Sequence, residues 1–240
     1  MQRVSQISKK ASSMRLLTVD WDYFFTNPLE NGERGNPLIW FYDWGHREAP
    51  MFVDGFMWDI RREAFQKQGI PLPGTSGEDV GFWDHIRLMP DADLWVTDSH
   101  ALAGSLEVLD GIHAIWSFDA HHDYGYGGPD PGPNDFFDCG NWLKASHNIG
   151  VKRVHVRYPR WKTKAVEMDH PPEGLDAKIF DPSERLPRFD RVHICRSGAW
   201  TPPWLDRQFL QFVKASGLVV NTVASQDVAD PLIMRRGVQL

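Results

Sequence analysis

The chain has 240 residues, 42% hydrophobic and 24% charged, a balance that supports a packed core and excludes wholesale disorder. Its net charge of −6, with no basic stripe, argues against a nucleic-acid partner, and no apolar run approaches the roughly 18 residues of a membrane span. Two cysteines, Cys139 and Cys195, cannot build a disulfide framework and predict a reducing, cytoplasmic setting.

Residues 1–13 are polar and basic without an apolar stretch, which predicts a flexible N-terminal tail and no signal peptide. Residues 14–240 read as one domain. Within it, "MRLLTV" (14–19), "DLWVT" (93–97), "GIHAIWSF" (111–118), "VKRVHVRY" (151–158), "RVHIC" (191–195) and "LVVNTVA" (218–224) are short, apolar and rich in β-branched or aromatic residues. These are strand candidates for a sheet covered on both faces. "SLEVLDGI" (105–112), "GNWLKASHNIG" (140–150) and "PPWLDRQFLQFVKASG" (202–217) read as helices. The last has Pro in its first turn, apolar Leu205, Phe209, Phe212 and Val213 at helical spacing, and a closing Gly217. The alternation predicts an α/β fold with a doubly wound, mostly parallel sheet. Residues 27–90, dense in Trp, Pro and Gly, interrupt the pattern as a long insertion. No internal repeat is visible.

Three predicted strand ends carry unusual chemistry. "VDWDYF" places Asp20 and Asp22 two apart, on one face of an extended segment. "TDSHALAGSL" places His100 just beyond a strand and at the opening of a helix. "SFDAHHDYGY" places Asp119, His121 and Asp123 on one face by the same period of two. Ligands of open α/β sheets collect at the carboxyl ends of the strands. Together these segments offer the carboxylates of Asp20, Asp22, Asp119 and Asp123 with the imidazoles of His100 and His121. A mixed oxygen and nitrogen set of this kind suits two borderline-hard divalent ions, such as Mn²⁺, better than a thiolate-rich structural zinc. An isolated Asp-x-Asp is usually a solvated turn or a cap, and a lone His opening a helix is usually structural. Three such groups at successive strand ends outweigh those readings, because buried charges require partners or a metal. His122, on the opposite face, reads as a structural residue or as a support behind the ligands.

"DAHHD" resembles the Asp-Ala-His-x-Asp signature of the arginase/ureohydrolase superfamily. "DSHALAGS" is similar to its Gly-Gly-Asp-His-Ser segment, "DWD" to its Asp-x-Asp pair, and "CGNWL" (139–143) to its Gly-Asn-Leu-His segment. The early Asp-x-Asp-Tyr-Phe and the late "RSGAWTP" resemble a divergent branch that includes the peptide arginases. The resemblance implies a three-layer arginase-like fold whose motif order is circularly permuted, since Asp-x-Asp here precedes the signature. It implies that Asp119 and Asp20 bridge two manganese ions, with His100 and Asp123 completing one site and His121 and Asp22 the other. It further implies hydroxide attack on a guanidinium carbon, with Asp123 holding a proton and passing it to the leaving amine. Leu143 stands where the family's catalytic His is expected, which leaves His147, one turn on, as the substitute proton shuttle.

The substrate implied is an arginine-containing precursor peptide, converted to ornithine and urea. Trp40, Trp44, Trp58 and Trp83 of the insertion could grip an extended peptide or close a hydrophobic mini-core. Asp43, Glu48, Glu78 or Asp79 could pair with its guanidinium. A ureohydrolase acting on a small guanidino compound, a metal-dependent deacylase and a non-enzymatic metal-binding protein are the alternatives. The oligomeric state is not encoded in any pattern seen here.

Overall fold

The computed structural model describes residues 13–25, 56–69, 71–72, 74–126, 138–162, 170–198 and 200–221. Seven strands form one sheet: β1 (Met14–Asp20), β2 (Arg87–Thr97), β3 (Ile112–Phe118), β4 (Arg153–Tyr158), β5 (Asp176–Ile179), β6 (Arg188–Cys195) and β7 (Val220–Asn221). Their order is β5-β4-β3-β1-β6-β2-β7, and every pairing is parallel. All carboxyl ends therefore lie along one edge. From β1 the chain crosses to one side of the sheet for β2 and returns to the other side for β3. That reversal makes the end of β1 the place where a ligand cleft is expected.

Period-two alternation splits the core into two halves, one on each face of the sheet. On one face, Leu17, Val19, Leu94, Val96, Trp116, Phe118, Val192 and Ile194 are buried beneath Phe209, Phe212 and Val213 of helix α4 (Asp206–Ala215). On the other, Leu16, Ile115, Val154 and Val156 pack beneath Val108 and Leu109 of α2 (Leu106–Leu109) and Trp142 and Leu143 of α3 (Trp142–Asn148). Helices thus cover both faces, giving the expected three-layer α/β arrangement. A fourth helix, α1 (Phe56–Gln68), lies in the insertion. Its fully buried Trp58 donates from Nε1 to the Gly198 carbonyl at 2.8 Å and packs edge-on against Trp204 at 5.6 Å.

Several predicted bounds change. The helix expected over 105–112 closes at Leu109, because Gly111 adopts a left-handed φ of 74° and turns the chain straight into β3. A Cβ there would also meet the Met14 sulfur at 3.2 Å. β2 begins at Arg87, inside the predicted insertion, and its register with β6 shifts between Leu88 and Asp93, the stretch that contains Pro90. β5 was not predicted; its "DAKI" has no apolar run because it is the half-exposed edge strand. Of the strand expected over 218–224, residues 220–221 pair with β2 and residues 222–224 lie outside the described residues.

Candidate metal centre

β1 ends at Asp20, and a one-turn 3-10 helix (Trp21–Phe24) follows at once. Asp20 caps it, its Oδ1 accepting from the Asp22 amide at 3.2 Å. The turn is held by its aromatics: Trp21 and Phe24 lie 5.2 and 4.9 Å from the ring of Phe212, and Tyr23 lies 5.7 Å from Phe118. Burying such rings contributes about 1.5–3 kcal/mol each, enough to fix Asp20 and Asp22 where they would otherwise repel one another. β2 leads through Ser99, whose hydroxyl caps a second 3-10 helix (His100–Gly104) by accepting from the Ala101 amide at 3.2 Å. β3 leads directly into Asp119.

These three exits bring all six predicted ligands together. His100 Nδ1 lies 2.9 Å from Asp119 Oδ2, 2.9 Å from Asp123 Oδ2 and 3.3 Å from Asp20 Oδ2. His121 Nδ1 lies 3.0 Å from Asp22 Oδ2 and 3.7 Å from Asp119 Oδ1. Asp20, His100 and Asp119 form one group with donor atoms within 4.8 Å of one another; Asp22, Asp119 and His121 form a second. Asp119 is common to both, while Asp20 belongs to the first alone.

The division of labour among the carboxylate oxygens is regular. Asp20, Asp22 and Asp119 each give Oδ1 to a nearby backbone amide (of Asp22, Ala120 and His121) and turn Oδ2 inward. Asp123 sits at a left-handed φ of 46° and accepts from Trp142 Nε1 at 2.9 Å. Such strain in a non-glycine residue persists only where its surroundings enforce it. Asp22 Oδ2, His100 Nδ1 and Asp119 Oδ2 are buried without a hydrogen-bond partner among the described residues. Two mutually repelling carboxylate oxygens and an imidazole nitrogen left without hydrogen bonds fit cations among them.

Charge balance within the cluster leads to the same end. Burial and the charges of Asp20 and Asp119 push the Asp22 carboxyl up to about 7. Burial and Asp119 likewise raise Asp20 and Asp123. Burial alone would lower the pKa of His100, but Asp119, Asp123 and Asp20 hold it well above its ordinary value; Asp22 and Asp119 do the same for His121. Asp119, despite its burial, is held below the usual carboxylate range by the two imidazoles. Without a cation the site must therefore retain protons to remain neutral.

Every cluster residue is buried except His121, whose side chain is 33% exposed. The open side of the site is thus at His121, where the ring of Trp200 lies 5.7 Å away. Beneath the same loop, buried Lys162 donates to the Ala120 carbonyl and lies 4.8 Å over the Tyr158 ring. Trp142, Trp200 and Lys162 were not singled out from sequence as site residues. Trp142 occurs in the quoted "CGNWL", but nothing in its pattern reveals that its indole reaches back to Asp123.

His147 is not brought to the cluster. Its Nδ1 lies 2.9 Å from the Val151 carbonyl just beyond α3, and its ring packs edge-on against Tyr124 at 5.6 Å. His122 is buried, stacks on Tyr126 at 4.2 Å, and accepts from the Tyr124 amide through Nδ1. Of the insertion's tryptophans, Trp58 and Trp83 are packing residues, the latter donating to the Phe212 carbonyl at 2.9 Å. Glu78 pairs with Arg160 at 3.7 Å, and Asp79 accepts from Gln208 at 2.8 Å. Trp40, Trp44, Asp43 and Glu48 lie outside the described residues. No family model, curated protein or solved structure matches the chain.

Proposed function

We propose that this protein is a dimetal hydrolase that cleaves the guanidino group of arginine residues in a peptide, giving ornithine and urea. One observation carries the reading: two donor groups, each with two carboxylates and an imidazole, share Asp119 at the carboxyl edge of a parallel sheet. Asp20, His100, Asp119 and Asp123 would hold one Mn²⁺; Asp22, Asp119 and His121 would hold the other. When bound, such ions supply Lewis acidity and allow water to be deprotonated near neutral pH.

The chain's own residues account for the remaining steps. Asp123, held by the Trp142 indole, would take the proton of the attacking water and return it to the departing nitrogen. Water oxygen bonds to the guanidinium carbon, the bond from that carbon to the side-chain nitrogen breaks, and the proton goes to the new amine. Trp200, beside the half-buried His121, would offer an aromatic face to an incoming guanidinium. The glycine- and proline-rich "YGYGGPDPGPND" that follows the metal motif suits a peptide better than a free amino acid, which needs compact polar contacts for its α-carboxylate and α-amine.

Metal content tests the reading. Protein reconstituted with Mn²⁺ is expected to hold two ions per chain. A single tightly held zinc with no second site would favour a deacylase, and two ions without turnover of any guanidino compound would favour a binding protein. Among the described residues no helix is long and apolar enough to cross a membrane.

A further inference from the structure

Behind the cluster, on the same buried face of the sheet, lies a row of polar side chains that the chemistry above does not use. Thr18 of β1, His193 of β6 and Thr97 of β2 are each 2% exposed or less. They are linked in a line: His100 Nε2 to Thr18 Oγ1 at 2.8 Å, Thr18 Oγ1 to His193 Nδ1 at 3.1 Å, and His193 Nε2 to Thr97 Oγ1 at 2.9 Å. The rings of His100 and His193 are parallel, 5.9 Å apart. Strand register sets the line up, since Thr18 pairs with His193 and Thr97 with Cys195 two residues on.

The direction of every hydrogen bond in this line can be deduced from its far end. Thr97 Oγ1 lies 2.9 Å from the Ser99 carbonyl, which can only accept. The single hydroxyl hydrogen of Thr97 is therefore committed, and its oxygen must accept from His193. His193 Nε2 thus carries a proton. His193 pairs with no carboxylate among the described residues and is wholly buried, so its ring is neutral and Nδ1 presents a lone pair. Thr18 donates its one hydrogen to that lone pair. The Thr18 oxygen then has to accept from His100, which places the proton of His100 on Nε2. Its Nδ1, the atom facing Asp20, Asp119 and Asp123, is therefore the nitrogen that gives up its proton when a cation enters, turning a lone pair to their centre.

We propose that His193 is a positioning residue which, through Thr18, fixes the tautomer and orientation of His100 so that its bare Nδ1 is presented to a divalent cation. The proposal rests on the dimetal reading for its purpose, but the hydrogen-bond order stands independently of it. Buried polar side chains cost stability unless they are hydrogen-bonded, and here each is satisfied by its neighbour in the relay. The relay serves the first ion alone, because His121 is not part of it.

Two measurements test this. Nitrogen–proton correlation spectra of the histidine side chains, recorded on metal-free wild-type protein, should show His193 protonated at Nε2 and bare at Nδ1. The opposite tautomer, or a doubly protonated ring, would overturn the relay whatever the protein binds. In Mn²⁺ titrations by calorimetry, Thr18→Val should weaken one site by about 10–100-fold and leave the other unchanged. Thr18→Ser, which restores the hydroxyl, should bring both sites back to wild-type affinity. Unchanged affinity in Thr18→Val, or equal weakening of both sites, would overturn the proposal. Should wild-type protein bind fewer than two ions, the dimetal reading fails while the histidine spectra still decide the relay.

Discussion

Asp119→Ala removes the one carboxylate that both ligand groups share, whereas Asp22→Ala touches only the second group. A ligand bound solely by the native state, at 100 times its Kd, stabilises by about 2.7 kcal/mol. Two Mn²⁺ ions at that excess should thus add about 5.4 kcal/mol to the wild type. For a chain of this length, at about 2–4 °C per kcal/mol, the Tm should rise by roughly 10–20 °C. Asp22→Ala, with Asp20, His100, Asp119 and Asp123 intact, should keep about half of that rise. Asp119→Ala, which strips a ligand from both groups, should keep almost none. Scanning calorimetry of each protein with and without Mn²⁺ measures this directly, and the comparison within each variant cancels any change in metal-free stability. A full rise in Asp22→Ala, or a half-sized rise in Asp119→Ala, would refute the shared-carboxylate geometry.

Protonation should oppose metal binding. Asp22, held at about 7 in the folded chain against an ordinary 3.8, binds a proton that the unfolded chain releases, so stability falls as pH rises from about 4 to 7. His100 and His121 are held above their ordinary 6.5; their contribution is complete below that value and is lost at higher pH. Metal-free protein should therefore lose Tm between pH 6 and 8, and the rise caused by Mn²⁺ should grow over the same range; a Tm that climbs instead would contradict the protonated-cluster account. Phe212→Ala, which removes the ring against both Trp21 and Phe24, should cost about 3–5 kcal/mol in denaturant unfolding; a loss under about 1 kcal/mol would show that the aromatic clamp on Asp20 and Asp22 is unimportant. His122→Ala should retain far more activity than Asp119→Ala in urea release, and equal abolition would show that the assignment of faces in the metal loop is wrong.

The six cluster residues were legible as ligand types gathered at or just beyond three strand ends, but the period-two reading of a common face does not hold. Asp22 lies in the 3-10 helix Trp21–Phe24 and residues 119–123 follow the end of β3, so capping and aromatic packing bring them together instead. The parallel sheet was legible from the alternation of apolar runs with amphipathic helices. The relay was not. Thr18 in "LTVD", Thr97 in "WVTD" and His193 in "VHIC" each look like an ordinary alternate position of a strand, and only the order β1-β6-β2 makes them neighbours. That order is a long-range property, set by which crossovers the helices can cover, and no local pattern records it. Asp123 was legible as a carboxylate but not as a left-handed residue pinned by Trp142, since that contact depends on how α3 packs. The edge strand β5 escaped for want of burial.

The central claim is most directly tested by mass spectrometry of an arginine-containing peptide incubated with Mn²⁺-loaded protein, alongside free arginine and agmatine. Each modified arginine should lose the elements CH2N2 with release of one urea, dependent on Mn²⁺ and absent in Asp119→Ala, while free arginine and agmatine yield negligible urea. Faster turnover of free arginine than of every arginine peptide, or no urea from any of them with both ions bound, would contradict it.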